Sequence, residues 1–293
     1  MKIRTSHGVR IFHIQTILTD EVFMDKTNDV TLLPGERLDI INEDLSLIQK
    51  KNGLTFGTDA YLLSAFAPRR GGIAADLGAG TGVASLLCAV RGKSDKMYSV
   101  EVQPEFAELC RRNAELNGLS DKITPILKDV REIYAKDTDG EVDFVISNPP
   151  YMSADGGKGN DSTVKNIARR EICGGIGDFC AAASRILRYG GDFYTVYRCD
   201  RLCDLICALR ENSLEPKVMV TVYPRKDSAP CLVLLKSKKG GRPGLTVSPP
   251  LIIYRDPEAP ARYTIPEGEK DLGYTAEFAK IYADFSLDHL FER

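Results

Sequence analysis

The chain has 293 residues, a formal net charge of −2, 43% hydrophobic residues and 27% charged residues. This composition is typical of a folded soluble protein and excludes a mainly disordered chain. Eight cysteines without framework spacing predict reduced thiols in the cytoplasm. No apolar run approaches the roughly 20 residues of a membrane span, and the opening residues do not predict a secretory leader. The chain has three histidines, and all lie near its ends: His7, His13 and His289. Their positions exclude a hydrolase with a histidine base in the central part of the chain and a histidine-rich metal site.

Short apolar runs alternate with helical patterns from about Leu62 to Leu235. The predicted strands are Ile73–Leu77, Met97–Val102, Ile123–Leu127, Val142–Ser147, Asp192–Tyr197, Val218–Tyr223 and Cys231–Lys236. The predicted helices are Asp59–Ala67, Val83–Val90, Pro104–Asn117, Gly177–Leu187 and Arg201–Asn212. The alternation predicts an α/β fold with a seven-stranded, mostly parallel sheet and helices on both faces. The last two strands have no helix between them and are expected to form an antiparallel pair.

A glycine-rich turn, DLGAGTG at Asp76–Gly82, lies between the first core strand and the next helix. Glycines allow a tight turn and a close approach of the backbone to a ligand at the carboxyl edge of the sheet. A dinucleotide-binding fingerprint would need a glycine at position 83, which is Val83 in this sequence. Asp76, the acid before the loop, would also repel a pyrophosphate. A carboxylate there suits a cationic ligand, such as the ammonium of a methionine moiety. We therefore expect four residues to bind such a ligand: Asp76, Gly78, Gly80 and Gly82.

Two further acids stand at the ends of the following strands. Glu101 ends the second core strand and is placed to accept both hydroxyls of a ribose. Asp129 follows the third strand, where a carboxylate could accept from an adenine amino group. Together with Asp76, these acids at three successive strand ends predict a binding pocket for S-adenosylmethionine.

The sequence Asn148-Pro149-Pro150-Tyr151 follows the fourth core strand directly. The prolines stiffen the backbone and restrict Asn148 to extended geometry. The asparagine oxygen and a main-chain carbonyl could then accept from both N–H bonds of a planar NH2 group, which favours the pyramidal, nucleophilic amine. Tyr151 offers a ring on which a flat base can stack. We therefore expect all four residues to form the catalytic loop of an amine methyltransferase that needs no histidine.

These motifs resemble those of class I amino-methyltransferases that act on adenine, guanine or glutamine. Flanking segments resemble the bacterial tRNA(Val) adenine-N6 methyltransferase family in particular: FGTDA at 56–60, ARRE at 168–171 and KGGRPGL at 239–245. The resemblance covers about Leu33 to Tyr254 and implies the Rossmann-like class I methyltransferase fold. It also implies that Thr58 lines the methionine end of the cofactor. The pair Arg169-Arg170 departs from the Arg-His pattern that is frequent in the family.

The family methylates the adenosine on the 3′ side of the anticodon, so the resemblance implies methylation of N6 of adenosine 37 in tRNA(Val). Two other acceptors stay open, guanine N2 in ribosomal RNA and a glutamine amide in a protein. A non-catalytic RNA-binding module is a further alternative. Only about 30 to 50 residues precede the core, which argues against the N-terminal recognition domain typical of the glutamine-modifying enzymes.

Positive charge is concentrated between Lys217 and Arg242, where seven basic residues face a single acid, Asp227. Clustered charge of this kind is typical of a nucleic-acid contact. We expect tRNA to be bound by six residues: Arg198, Arg225, Lys226, Lys238, Lys239 and Arg242.

Three segments are predicted along the chain. Residues 1–32 form an N-terminal extension, in which Met24 is a candidate start. Residues 33–254 form the methyltransferase domain, and residues 255–293 form an acidic tail with nine acids and five bases. No metal site is expected. Cysteines recur every four residues, a spacing that places them on one helix face, and we expect them to pack in the core: Cys199, Cys203 and Cys207.

Overall fold

The computed structural model describes residues 31–42, 45–51, 57–68, 71–150, 174–259, 271–284 and 286–287. Within these ranges the helices are α1 (Thr58–Phe66), α2 (Val83–Val90), α3 (Pro104–Leu116), α4 (Ile176–Ile186), α5 (Leu202–Glu211) and α6 (Ala276–Asp284). The strands are β1 (Glu36–Asn42), β2 (Leu45–Lys50), β3 (Ile73–Leu77), β4 (Lys96–Glu101), β5 (Ile123–Leu127), β6 (Val142–Ser147), β7 (Leu187–Arg198), β8 (Leu214–Tyr223), β9 (Leu232–Lys239), β10 (Thr246–Val247) and β11 (Leu251–Ile252). No described helix is both long and apolar enough to span a membrane.

The central sheet has the order β10-β8-β9-β7-β6-β3-β4-β5, and β11 also pairs with β8. Strands β5, β4, β3, β6 and β7 are parallel, whereas β9 is antiparallel to both β7 and β8. The predicted mostly parallel sheet and its terminal antiparallel pair are confirmed. The sheet nevertheless has nine strands rather than the predicted seven. The two additional strands have two residues each, too few to show an alternating pattern.

The observed bounds of most core elements lie within two residues of the predicted ones, and β3, β5, β6 and α2 coincide with their predictions. Strand β8 begins four residues earlier than predicted and β9 ends three residues later, and the largest difference is in β7, which begins five residues earlier. Its first half contains Gly190, with a φ of +76°, and its pairing with β6 shifts register between Val142 and Phe144. A glycine pair that is typical of a turn is thus an irregularity within the strand.

Strands β1 and β2 form a separate antiparallel hairpin that packs against α3. Two asparagines of α3 hold the backbone of β2. Asn113 accepts from the Ile48 N–H at 2.7 Å and donates to the Ile48 carbonyl at 3.1 Å. Asn117 accepts from the Ser46 N–H at 2.9 Å and donates to the Ser46 carbonyl at 2.7 Å. Their side-chain amides supply hydrogen bonds that a neighbouring strand would otherwise provide.

Side chains of the sheet alternate between two hydrophobic layers, as a pleated strand requires. Phe144 and Ile146 of β6 face the layer that includes α1 and α2, whereas Val145 faces the layer that includes α4 and α5. The first layer also contains buried residues from beyond Arg255, namely Phe278, Ile281 and Leu287. The C-terminal segment therefore contributes to the same core as the predicted methyltransferase domain.

The carboxyl end of α1 is held by a buried lysine and by the C-terminal segment. Lys93 is only 2% exposed and donates to the carbonyls of Ser64 at 2.6 Å, Ala65 at 3.0 Å and Ala67. The Leu287 N–H also donates to the Ala65 carbonyl. A cation near these terminal carbonyls is favoured by the helix dipole.

Candidate functional site

The glycine-rich turn and Asn148 follow neighbouring parallel strands at the same edge of the sheet. Leu77 of β3 pairs with Ser147 of β6, and the Ser147 hydroxyl donates to the Leu77 carbonyl at 2.8 Å. Since neighbouring strands lie about 5 Å apart, Gly78 and Asn148 emerge side by side. The structure thus brings the two strongest motifs of the sequence into one site.

The three glycines of the turn have different surroundings. All have positive φ, at +74° for Gly78, +56° for Gly80 and +82° for Gly82. An added Cβ would lie 2.9 Å from the Phe179 ring at Gly78 and 2.5 Å from the Cys110 sulfur at Gly82. At Gly80, an added Cβ would have no neighbour within 4 Å. Packing beneath the turn therefore requires the outer two glycines, whereas the side of Gly80 is open to a ligand.

Asp76 lies beneath the turn and is only 2% exposed. Its carboxylate accepts from the Ser85 hydroxyl at 2.8 Å, and Ser85 lies 2.7 Å from the Ser99 hydroxyl. Burial, together with the charge of Glu101, raises the pKa of Asp76 to about 7, against the lowering effect of the Ser85 hydrogen bond. A cationic ligand nearby would favour the ionised carboxylate.

Glu101 is buried at the end of β4 and is fixed by two backbone groups. Its Oε2 accepts from the Gly80 N–H and its Oε1 from the Gln103 N–H, both at 2.9 Å. Oε1 also accepts a long contact of 3.5 Å from the Gln103 side-chain amide, and Oε2 keeps a second lone pair that can accept from a hydroxyl group of a ligand. Glu101 also links the end of β4 directly to the glycine-rich turn.

Asp129 is engaged by a neighbouring arginine. Its carboxylate accepts from the Arg131 backbone N–H at 2.8 Å and from the Arg131 guanidinium at 2.9 Å. The hydrogen bonds from Arg131 lower the pKa of Asp129. An adenine amino group at this position would share the carboxylate with Arg131.

Asn148 carries a buried acceptor at the end of β6. Its Oδ1 atom has no hydrogen-bond donor among the residues that the structure describes. Pro149 is buried and Pro150 is half-buried behind it. An unpaired buried oxygen is costly unless a ligand supplies the donor. Tyr151 and the Arg169-Arg170 pair lie outside the described residues.

Sequence reasoning missed one residue that shapes the turn, Asn113 of α3. It is fully buried, and its amide donates to the Thr81 carbonyl at 3.0 Å in addition to holding Ile48. One side chain thus connects the β1–β2 hairpin to the glycine-rich turn. The sequence signal for this role is that Asn113 places an amide side chain on the otherwise apolar face of an amphipathic helix. Thr58, which the resemblance assigns to the site, is half-buried at the start of α1.

The six basic residues predicted to bind tRNA do not form one surface. Because β9 runs antiparallel to β7, the β8–β9 turn with Arg225 and Lys226 lies at the same edge as Asn148. Arg198 ends β7 at that edge and pairs with Asp200. The other three residues lie at the opposite edge, where the parallel strands begin: Lys238, Lys239 and Arg242.

The described residues contain no group of three or more side chains that could hold a metal ion. The expectation that the three cysteines in and just before α5 pack in the core is wrong for two of them. Cys203 and Cys207 are exposed, and Cys199 is half-buried. The helix buries Leu205, Ala208 and Leu209 instead, so its apolar face is offset from the cysteine row.

Comparisons with known proteins agree with this geometry. A family model described as the TRM5/TYW2 methyltransferase domain matches residues 65–156. A solved structure described as a predicted O-methyltransferase from Agrobacterium tumefaciens has a TM-score of 0.59 and 25% identity, covering 78% of this chain and 97% of that chain. The fold is that of the class I methyltransferases.

Within that class, the chain is similar to bacterial tRNA-modifying enzymes. A tRNA1(Val) (adenine(37)-N6)-methyltransferase of Aeromonas hydrophila is 28% identical over 191 residues, which cover 63% of this chain and 76% of that protein. The protein of the same name from Shewanella loihica is 26% identical over 182 residues, which cover 61% of this chain and 74% of that protein. These relatives confirm the resemblance to the tRNA(Val) adenine-N6 methyltransferases that the motifs predict.

Proposed function

We propose that this chain methylates the exocyclic N6 of an adenosine in tRNA, at position 37 of tRNA(Val), and that it does so in the cytoplasm. The observation that carries the proposal is the buried Oδ1 of Asn148 beside the glycine-rich turn, for which the described residues supply no donor. The relatives named for this reaction support the choice of acceptor.

S-adenosylmethionine fits the residues at the carboxyl edge, and when bound it supplies an electrophilic methyl group. Asp76 is a buried carboxylate that benefits from a cation, and the open side of Gly80 leaves room for the ligand. Glu101 is oriented by two backbone N–H donors and by a weak 3.5 Å contact from the Gln103 side chain, which the ribose hydroxyls would replace. In the same proposal Gly78 and Gly82 shape the turn, Thr58 lines the methionine end, and Asp129 accepts from the adenine amino group.

Asn148 acts on the amine of the acceptor. Its Oδ1 accepts a hydrogen bond from one N–H of the base, and a main-chain carbonyl of the catalytic loop accepts from the other. Together they favour the pyramidal amine, whose lone pair can attack the methyl group. This contact strengthens as charge develops on nitrogen, so it contributes to turnover more than to binding. No base has to act first, because the methylated amine loses its proton readily. Pro149 and Pro150 keep the loop rigid, and Tyr151 stacks on the base.

Nucleoside mass spectrometry tests the proposal. Unmodified tRNA is incubated with the purified chain and S-adenosylmethionine, digested, and examined for N6-methyladenosine. Fragment mapping then locates the methylated position. The Asn148→Ala variant should yield almost no product, whereas Asn212→Ala, a matched change at the end of α5, should retain normal activity. Methylation of guanosine N2, or of a glutamine-containing peptide in place of tRNA, would refute the proposed acceptor.

A further inference from the structure

An exposed tyrosine marks the edge of the sheet opposite the candidate active site. Tyr189 is 76% exposed, although it lies in strand β7. Its hydroxyl donates to the Gly240 carbonyl at 3.2 Å. Gly240 has a φ of +67°, and an added Cβ there would overlap the tyrosine ring. The ring is therefore supported by the backbone at Gly240 while most of its surface stays open to solvent.

Three cations lie at the same edge of the sheet as this ring and have no carboxylate partner among the described residues. Lys239 donates to the Leu187 carbonyl at 2.5 Å, and Lys217 donates to the Arg242 carbonyl at 3.0 Å. Arg242 itself is exposed, two residues beyond Gly240. By contrast, nearby Lys238 is neutralised by the buried Asp192 at 2.8 Å. We call the four residues that carry an open ring or an uncompensated charge the amino-edge patch: Tyr189, Lys217, Lys239 and Arg242.

We infer that the amino-edge patch is a second RNA-binding surface, which stacks one unpaired base on Tyr189 and contacts the flanking phosphates with its three cations. A base stacked on an exposed aromatic ring within a basic surface is a general mode of single-strand recognition. The inference rests on the proposed function for the identity of the partner, since tRNA is the polyanion that this enzyme must bind.

The patch is too distant from the candidate active site to share its nucleotide. Asp192 of β7 pairs with Phe144, four residues before Asn148, and Tyr189 lies three residues further from that edge. At about 3.3 Å per residue, Tyr189 and Asn148 are separated by roughly 20 Å along the sheet. The patch therefore contacts a part of the RNA away from the methylated base, so its loss should weaken RNA binding without slowing the chemical step.

Filter binding of tRNA across a salt series, together with methylation kinetics, tests the inference. Tyr189→Ala should weaken RNA binding by about 5- to 150-fold, whereas Tyr189→Phe, which keeps the ring, should bind nearly as wild type. The double variant Lys217→Gln/Lys239→Gln should flatten the log–log salt slope by about two. The matched control is Lys122→Gln, which removes a lysine that has no ion pair among the described residues. Lys122 lies at the same edge of the sheet, just before β5, and β5 is five strands or about 24 Å from β9.

The kinetics separate this inference from the proposed function. We expect Tyr189→Ala to raise the KM for tRNA and to leave kcat and S-adenosylmethionine affinity unchanged. If wild-type protein methylates tRNA adenosine but Tyr189→Ala binds RNA normally, the patch is not an RNA surface. If the variants lose RNA binding as expected but wild type yields no N6-methyladenosine, the proposed reaction is refuted and the amino-edge patch is still supported as an RNA-binding surface. A lowered kcat in Tyr189→Ala would also overturn the assignment, because it would couple the ring to the chemical step.

Discussion

Replacing Asp76 by asparagine should change how both stability and cofactor affinity depend on pH. The carboxyl titrates near 3.8 when unperturbed, and burial raises the pKa of Asp76 to about 7 in the folded chain. Between these two values the folded chain holds a proton that the unfolded chain has lost. The group therefore lowers the free energy of unfolding as the pH rises from about 4 to 7, by as much as about 4 kcal/mol.

Other carboxyls shift in the opposite direction, so the informative quantity is the difference between wild type and Asp76→Asn. Urea unfolding at pH 4, 5.5 and 7.5 should show that the free energy of unfolding of wild type, relative to that of the variant, falls as the pH rises. A cationic ligand binds the ionised carboxylate, so wild-type affinity for S-adenosylmethionine should rise about 25-fold between pH 5.5 and 7.5. Calorimetric titration of Asp76→Asn should give weaker binding that is almost independent of pH. Parallel pH profiles for the two proteins in both assays would refute the assignment of Asp76 as the counter-charge.

Three further changes test the rest of the site. Asn148→Ala should lower kcat by orders of magnitude while the Kd of S-adenosylmethionine changes only a few-fold, because its acceptor matters most as the amine pyramidalises; single-turnover kinetics measure this. Asn113→Leu should destabilise the fold by about 1–3 kcal/mol per orphaned group and weaken cofactor binding, as measured by urea unfolding and calorimetry. Neutralising Arg225 and Lys226 together should weaken tRNA binding and flatten its log–log salt slope, with S-adenosylmethionine binding unchanged. If wild type and the double variant have the same salt slope, the β8–β9 turn does not contact the RNA.

The parallel core could be predicted from the sequence because its signals are local. Strands β3 and β6 are short apolar runs that end in a glycine turn and in a proline turn, so both their bounds and their common edge follow from the chain itself. Packing beneath Gly78 and Gly82 and the burial of Asp76 depend on side chains from other elements. None of these has a local pattern.

The parts that could not be predicted depend on distant partners. Strand β2 is held by Asn113 and Asn117, more than 60 positions along the chain, so its stability is not evident from its own residues. The basic run from Lys217 to Arg242 looked like one surface because its charges are neighbours in sequence. The antiparallel return of β9 separates them, since a strand of eight residues carries its two ends to opposite edges of the sheet.

The position of β9 has a consequence for how the chain folds. Strand β9 lies between β7 and β8, so the β8–β9 ribbon can form from contacts close in sequence and then add to β7 as a unit. Until that ribbon docks, β7 is the edge of a sheet with a long row of unpaired N–H and C=O groups. Exposed edges of this kind recruit strands from other molecules. A chain interrupted near the β8–β9 turn, or a ribbon weakened there, is therefore expected to aggregate through β7 rather than remain as a smaller folded unit.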